Sequence, residues 1–286
     1  MPQTTYTIGF SSLDESMPSV AYRRETLEMA AAQHPHLRLI VRDNDLDDDT
    51  ALANAEEFAS IPVDLAIIFH VNERLGPRLG AIFSKKRIPV IAVDVPIPMT
   101  TFFGVNNRQA GTLAGGTLAR WIDANWNKQV DKILVMTESR NIGVVRDRID
   151  YAVKELVANV AFNASDILYL DGGSDRAISA RRSQEVLDSW KDYGHIAIIT
   201  INDDSAHGVL DAARRLALED RIAIAGQGAD AEAHAEIANP ASPFIASTDY
   251  HMDQYGPRLI DLSLRMLSGE RVLAQNFIEH RCISKI

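Results

Sequence analysis

Along the chain, short runs that are apolar throughout alternate with longer segments in which apolar residues recur at helical spacing. Tyr6–Phe10 is a β-rich run, followed by the polar turn SSLDESMP and a helical stretch from about Ser19 to Gln33. Leu37–Val41 comes next, then DNDLDDDT and a helix through Phe58. Asp48, Asp49 and Thr50 stand where a helix N-terminus wants acceptors and negative charge. VDLAIIF, IPVIAVDVP and TFFGV follow as strands, with a helix from Leu75 to Lys86 between the first two and a long helix from Asn107 to Trp126 after the third. KILVM, DILYL, HIAIIT, RIAIAG, FIAST and NFIE continue the strand series. Helices are expected to start near Gly143, Asp175, Asp203 and Asp230, and another runs from about Met252 to Leu267. Strands without a polar face belong to parallel sheets covered on both sides, and their alternation with helices means right-handed βαβ units. The strands are too many for one open sheet, and a fresh βα series starts near Val105–Asn107. The predicted architecture is therefore α/β, with two doubly wound parallel-sheet lobes.

In such sheets ligands bind beyond the carboxyl ends of the strands. The residues there include Ser11, Ser12 and Asp14; Asp43 and Asn44; His70; Asp94; Glu138; Asp171; Asn202 and Asp203; Gln227; and Asp249 and Tyr250. Carboxylates and amides dominate. No phosphate cradle, nucleophile elbow or paired zinc-binding histidines stand at these turns.

Composition narrows the classes. The 286 residues suit about two domains, and 46% apolar with 24% charged residues is ordinary for a globular chain. A formal charge of -10 argues against a phosphate-neutralising surface. Cys282 is the single cysteine, so neither an internal disulfide nor a cysteine-based zinc site is expected. MPQTTYTIGF has no basic stretch leading into an apolar one, so it does not read as a signal peptide.

The order of motifs resembles the type I periplasmic solute-binding proteins of the ribose- and galactose-binding branch. TYTIGFSS opens the chain, and IPVIAVDVP is similar to the family's IPV-I-x-x-D element. FFGVNNRQAG resembles the first crossing between lobes, and VVRDRID the x-R-x-R-x-x-G stretch, with Asp150 where glycine is usual. INDDSAHGVLDAAR resembles the N-D-x-x-A-x-G-x-x-x-A helix start, IAIAGQGA a V-x-G-F-D-G strand end, and ASTDYHMDQYG the S-V-x-Y-F-P-E-x-Y-G return.

The resemblance implies two lobes joined by a three-crossover hinge, residues 1–105 plus 251–279 and 106–250 plus 280–286, closing on a ligand. It implies ligand contacts from Asp94, Arg148 and Asn202, with Asp14, Met17, His70, Gln227 and Tyr250 as further candidates. Each has a competing structural role: Asp14 and Asn202 can cap helices, Arg148 can be an exposed helix residue, and His70 and Tyr250 can be packing. Met17 and Pro18 replace the aromatic rings that the family's sugar binders use in the first turn, and Gly228 replaces an aspartate. A neutral polyol, or a sugar held mainly by hydrogen bonds, is therefore expected.

Three functions stay open. The leading one is the periplasmic receptor of an ABC importer, whose partners are the ligand and a membrane permease, with no cofactor and no nucleic acid. The second is the cytoplasmic effector-binding core of a lactose-repressor-family regulator, whose closing R-x-S-T stretch HRCIS resembles. The third, an α/β enzyme, is disfavoured because no nucleophile–base or metal constellation stands out.

Overall fold

The computed structural model describes residues 5–140 and 143–286. In chain order the elements are β1 (Tyr6–Ser12), α1 (Pro18–Ala32), β2 (Leu37–Asp43), α2 (Asp48–Ser60), β3 (Leu65–Phe69), α3 (Gly76–Lys86), β4 (Val90–Val93) and β5 (Thr101–Gly104). Then come α4 (Asn107–Trp126), β6 (Lys132–Thr137), α5 (Asp147–Val157), β7 (Ile167–Asp171), α6 (Arg176–Ser189), β8 (Ile196–Thr200), α7 (Asp203–Leu216), β9 (Ile222–Gly228), α8 (Ala231–Ala238) and β10 (Phe244–Asp249). The chain ends with α9 (Tyr255–Leu267), β11 (Gln275–Phe277) and β12 (Arg281–Ser284). No helix among the described residues is long and apolar enough to cross a membrane.

The strands form two six-stranded sheets, ordered β11-β5-β4-β3-β1-β2 and β12-β10-β9-β8-β6-β7. Every pairing is parallel except β12 on β10, which is antiparallel. The described residues divide into two compact units: those of Met1–Val105, Arg140–Val145 and His251–Glu279, and those of Asn106–Ser139, Arg146–Tyr250 and His280–Ile286.

Two elements depart from the sequence reading. The helix expected near Gly143 begins at Asp147, and its first turn carries Asp147 and Asp150, which complement the helix dipole. The HRCIS stretch, for which the apolar pattern gives no strand, pairs with β10 as an edge strand.

The central strands explain the unpunctuated apolar runs. In the second unit, Ile133 and Val135 of β6 join Ala197 and Ile199 of β8 in one apolar cluster, together with α4 and α5 residues. Their neighbours Leu134, Met136, Ile196 and Ile198 join α7 residues in another. Successive side chains point to opposite faces, so a sheet covered twice needs apolar residues at every position. Ile196, Ala197, Ile198 and Ile199 are all 0% exposed, and each isoleucine contributes about 1.5–3 kcal/mol by leaving water.

Helices α4 and α5 pack unusually close. A β-carbon on Gly115 would overlap the Ala152 carbonyl oxygen, and one on Gly111 the Arg148 carbonyl oxygen. This close approach sets where α5 presents the Arg148 side chain. Gly115→Leu is expected to push the helices apart and cost about 3 kcal/mol of second-unit stability. Urea denaturation followed by far-UV circular dichroism measures this, and a wild-type midpoint would show that the crossing tolerates the bulk.

Candidate functional site

Each sheet gathers polar residues at the carboxyl ends of its strands. In the second unit these residues meet around Tyr250, which follows β10 and is 2% exposed. The Tyr250 hydroxyl donates to Gln227 Oε1, at the end of β9. The Arg148 guanidinium, from α5, lies over the Tyr250 ring with its carbon 5.0 Å from the centroid. Arg148 Nε donates to Asn107 Oδ1 at 3.0 Å, and Nη1 donates to the Ile201 carbonyl at 2.9 Å. Arg148, Gln227 and Tyr250 thus form one contiguous group, while Gln227 Nε2 is buried without a hydrogen-bond partner.

Asn202 caps α7: its Oδ1 accepts from the Ser205 N–H at 3.0 Å, and its Nδ2 donates to the Ser174 carbonyl at 3.1 Å. The capping role is therefore real, and it fixes the amide at the strand end.

In the first unit the centre is Asp94, after β4. Its backbone adopts φ 58, a left-handed conformation that aspartate tolerates better than most residues. Its Oδ1 accepts from the Tyr255 hydroxyl at 2.8 Å and the Val105 N–H at 3.3 Å, and its Oδ2 accepts from Arg23 Nη1 at 3.0 Å. Arg23 also lies over two rings, 5.1 Å from the Phe69 centroid and 4.9 Å from that of Tyr255. Asp94 is thus committed to positioning Arg23. Arg23 escapes a search of strand ends because it sits on α1. Its position is set by helix packing, and no local motif marks it.

His70, just after β3, is 2% exposed, and neither ring nitrogen has a hydrogen-bond partner. Burial lowers its pKa to about 4, and the opposing pulls of the Asn72 backbone and Asp48 are smaller, so the ring is neutral at pH 7. Asp14 closes a local turn, its Oδ1 accepting from the Ser16 N–H at 2.9 Å and Ser16 Oγ at 2.6 Å. Met17 is the residue from which α1 starts, and it is half-buried. Neither Asp14 nor Met17 joins the Asp94–Arg23 contacts. Among the described residues no group of three or more histidine, cysteine or acidic side chains could hold a metal ion.

Behind Asn202 lies a buried acidic cluster. Asp203 is 3% exposed; its Oδ1 accepts from Ser247 Oγ at 2.7 Å and its Oδ2 from the Asp230 N–H at 3.0 Å. Burial, then the Asp230 charge, push it up to about 7. His207 lies one turn along α7, with Nε2 3.2 Å from both Asp230 carboxylate oxygens. Burial lowers its pKa, but the hydrogen bond and charge of Asp230 outweigh this and raise it. Burial raises the Asp230 pKa, but the His207 hydrogen bond and charge together with the Ala233 and Glu232 N–H groups lower it overall.

Asp203 and His207 hold protons more tightly folded than unfolded. Their stabilisation is complete below their ordinary values and is lost as pH rises through the folded ones. For Asp203 the loss spans the interval from its ordinary 3.8 to about 7. For Asp230 the sign is opposite, and its contribution is lost only in acid. The second unit is expected to be less stable at pH 8 than at pH 5 by on the order of 3 kcal/mol, with Asp203→Asn flattening that dependence. Urea titrations at both pH values test this, and an unchanged slope in the variant would contradict it.

Comparison with known proteins places these rims in context. A family model described as a periplasmic binding protein domain matches residues 17–271. No curated protein matches the chain. Similar solved structures include an ABC transporter solute-binding protein from Bacillus halodurans with bound myo-inositol. It is 18% identical with a TM-score of 0.85, covering 100% of this chain and 96% of the other. A solute-binding protein from Mycobacterium smegmatis with bound glycerol is 19% identical with a TM-score of 0.86, covering 98% and 94%. The Caulobacter myo-inositol-binding protein is 18% identical with a TM-score of 0.83, covering 99% and 95%. Their two-lobed parallel-sheet fold is the fold of this chain, and with the model spanning residues 17–271 the chain belongs to the periplasmic binding protein family.

Proposed function

We propose that this chain is the extracytoplasmic, periplasmic receptor of an ABC importer. It holds a sugar or polyol against the carboxyl rims of both units and hands it to a membrane permease. The observation that carries this reading is the end-to-end similarity, over 98–100% of this chain, to ABC transporter solute-binding proteins with bound myo-inositol or glycerol. No comparable observation favours the regulator reading.

The rims support the reading chemically. Asn202, Gln227 and Tyr250 at strand ends of the second unit with Arg148 from α5, and His70 and Asp94 at strand ends of the first with Arg23 from α1, offer fixed hydrogen-bonding groups. Asp14 and Met17 belong to the first rim as the turn that opens α1. A ligand that contacts groups of both units favours the closed arrangement by its differential affinity for it.

A thermal-shift screen of sugars and polyols tests the function. A ligand at 100 times its dissociation constant adds about 2.7 kcal/mol, a clear shift. Mass spectrometry after long incubation is expected to return the ligand unchanged, and small-angle scattering to show a more compact particle on saturation. Turnover, or an identical scattering profile, would contradict the receptor reading.

A further inference from the structure

In the second unit the amide oxygens around Tyr250 and at the start of α7 already accept: Asn202 Oδ1 from Ser205, Asn107 Oδ1 from Arg148 and Gln227 Oε1 from Tyr250. The amide donor Gln227 Nε2 has no partner, on a residue 2% exposed.

Charge is uneven in the same sense. Asp94 neutralises Arg23. Arg148 has no carboxylate partner, and its two hydrogen bonds end on an amide oxygen and a backbone carbonyl. Asp249, next to Tyr250 in the chain, is paired with Arg281 at 3.0 Å. One guanidinium therefore remains uncompensated beside a vacant amide donor.

Aromatic faces are also spoken for. Arg148 covers the Tyr250 ring, and Arg23 lies over both Phe69 and Tyr255. A pyranose that relies on stacking its apolar face on a ring finds these faces already carrying a cation.

We infer that the ligand is a polyhydroxylated acid of the aldonate or uronate class, its carboxylate taken by Arg148 and a further oxygen accepting from Gln227 Nε2. This rests on the receptor reading above. An alditol brings a hydroxyl donor with every acceptor, and so adds donors to a site already rich in them. A carboxylate brings acceptors only, and matches the planar fork of a guanidinium through short, charge-assisted bonds.

Calorimetry at pH 7 and low salt tests this on the intact chain, with aldonates and uronates of four to six carbons against the alditols and aldoses of the same configuration. The tightest acid is expected to bind at least about tenfold more tightly than its neutral counterparts. Arg148→Gln is expected to weaken the acid roughly ten- to a hundredfold and to move neutral ligands far less. Arg148→Lys, which keeps the charge, is expected to retain part of the preference. Should the glutamine variant fail to fold, the wild-type acid-to-neutral ratio decides alone. A neutral ligand binding as tightly as its acid overturns the inference and leaves the receptor reading standing. Binding of no member of either series overturns both.

Discussion

A strand buried on both faces of a parallel sheet must pair every backbone group with a neighbour and can carry almost no polar side chain. Ile196–Thr200 shows the constraint: all five residues are buried, and β6 and β9 flank them in parallel register. Polar chemistry is thereby expelled to the strand ends, and because the core strands are parallel their carboxyl ends share one edge. Arg148, Gln227 and Tyr250 come together for this reason, although they lie on α5, β9 and the turn after β10. The close α4–α5 crossing aims Arg148, and the Ile201 carbonyl at the end of β8 fixes it there.

The two rims solve the problem of a half-buried guanidinium differently. Arg23 is paired with Asp94 and lies over two rings, an arrangement that favours a fixed geometry over free charge. Asp94 holds its place through the Tyr255 hydroxyl, which reaches it from a helix 161 residues along the chain. Arg148 instead rests on neutral oxygens and one ring, so its charge is still available to a partner. The neutral His70 ring and the buried Asp203–Asp230–His207 cluster serve different ends. One is an uncharged rim residue, and the other ties the start of α7 to the start of α8.

Much of the fold was legible because its signals are local. Apolar runs without alternation mark doubly covered strands, and acceptors such as Asp175, Asn202 and Asp230 mark helix starts, where each accepts from a backbone N–H; for α2 the sequence points to Asp48–Thr50 and the capping acceptor is Asp47, one residue earlier. Strand β12 was not legible: Arg281–Ser284 is short and partly exposed, and its pairing with β10 depends on where the chain returns. The helix near Gly143 was placed four residues early because α5 has no side-chain cap to mark its start. At the rims, strand ends pointed to Gln227 and Tyr250 and the family resemblance to Arg148 on α5, while neither showed the surroundings of Asp94. The sequence shows a carboxylate after a strand; it does not show that Arg23, Tyr255 and Val105 occupy that carboxylate.

The proposal on which the account rests is that the ligand engages groups at the carboxyl ends of the strands. Hydrogen–deuterium exchange of the intact chain, with and without its tightest ligand, tests it most directly. The account predicts simultaneous new protection in both units, at residues 94–105 in the first and at residues 201–205 and 227–230 in the second. Protection confined to one unit, with the other exchanging as in the free protein, would contradict it.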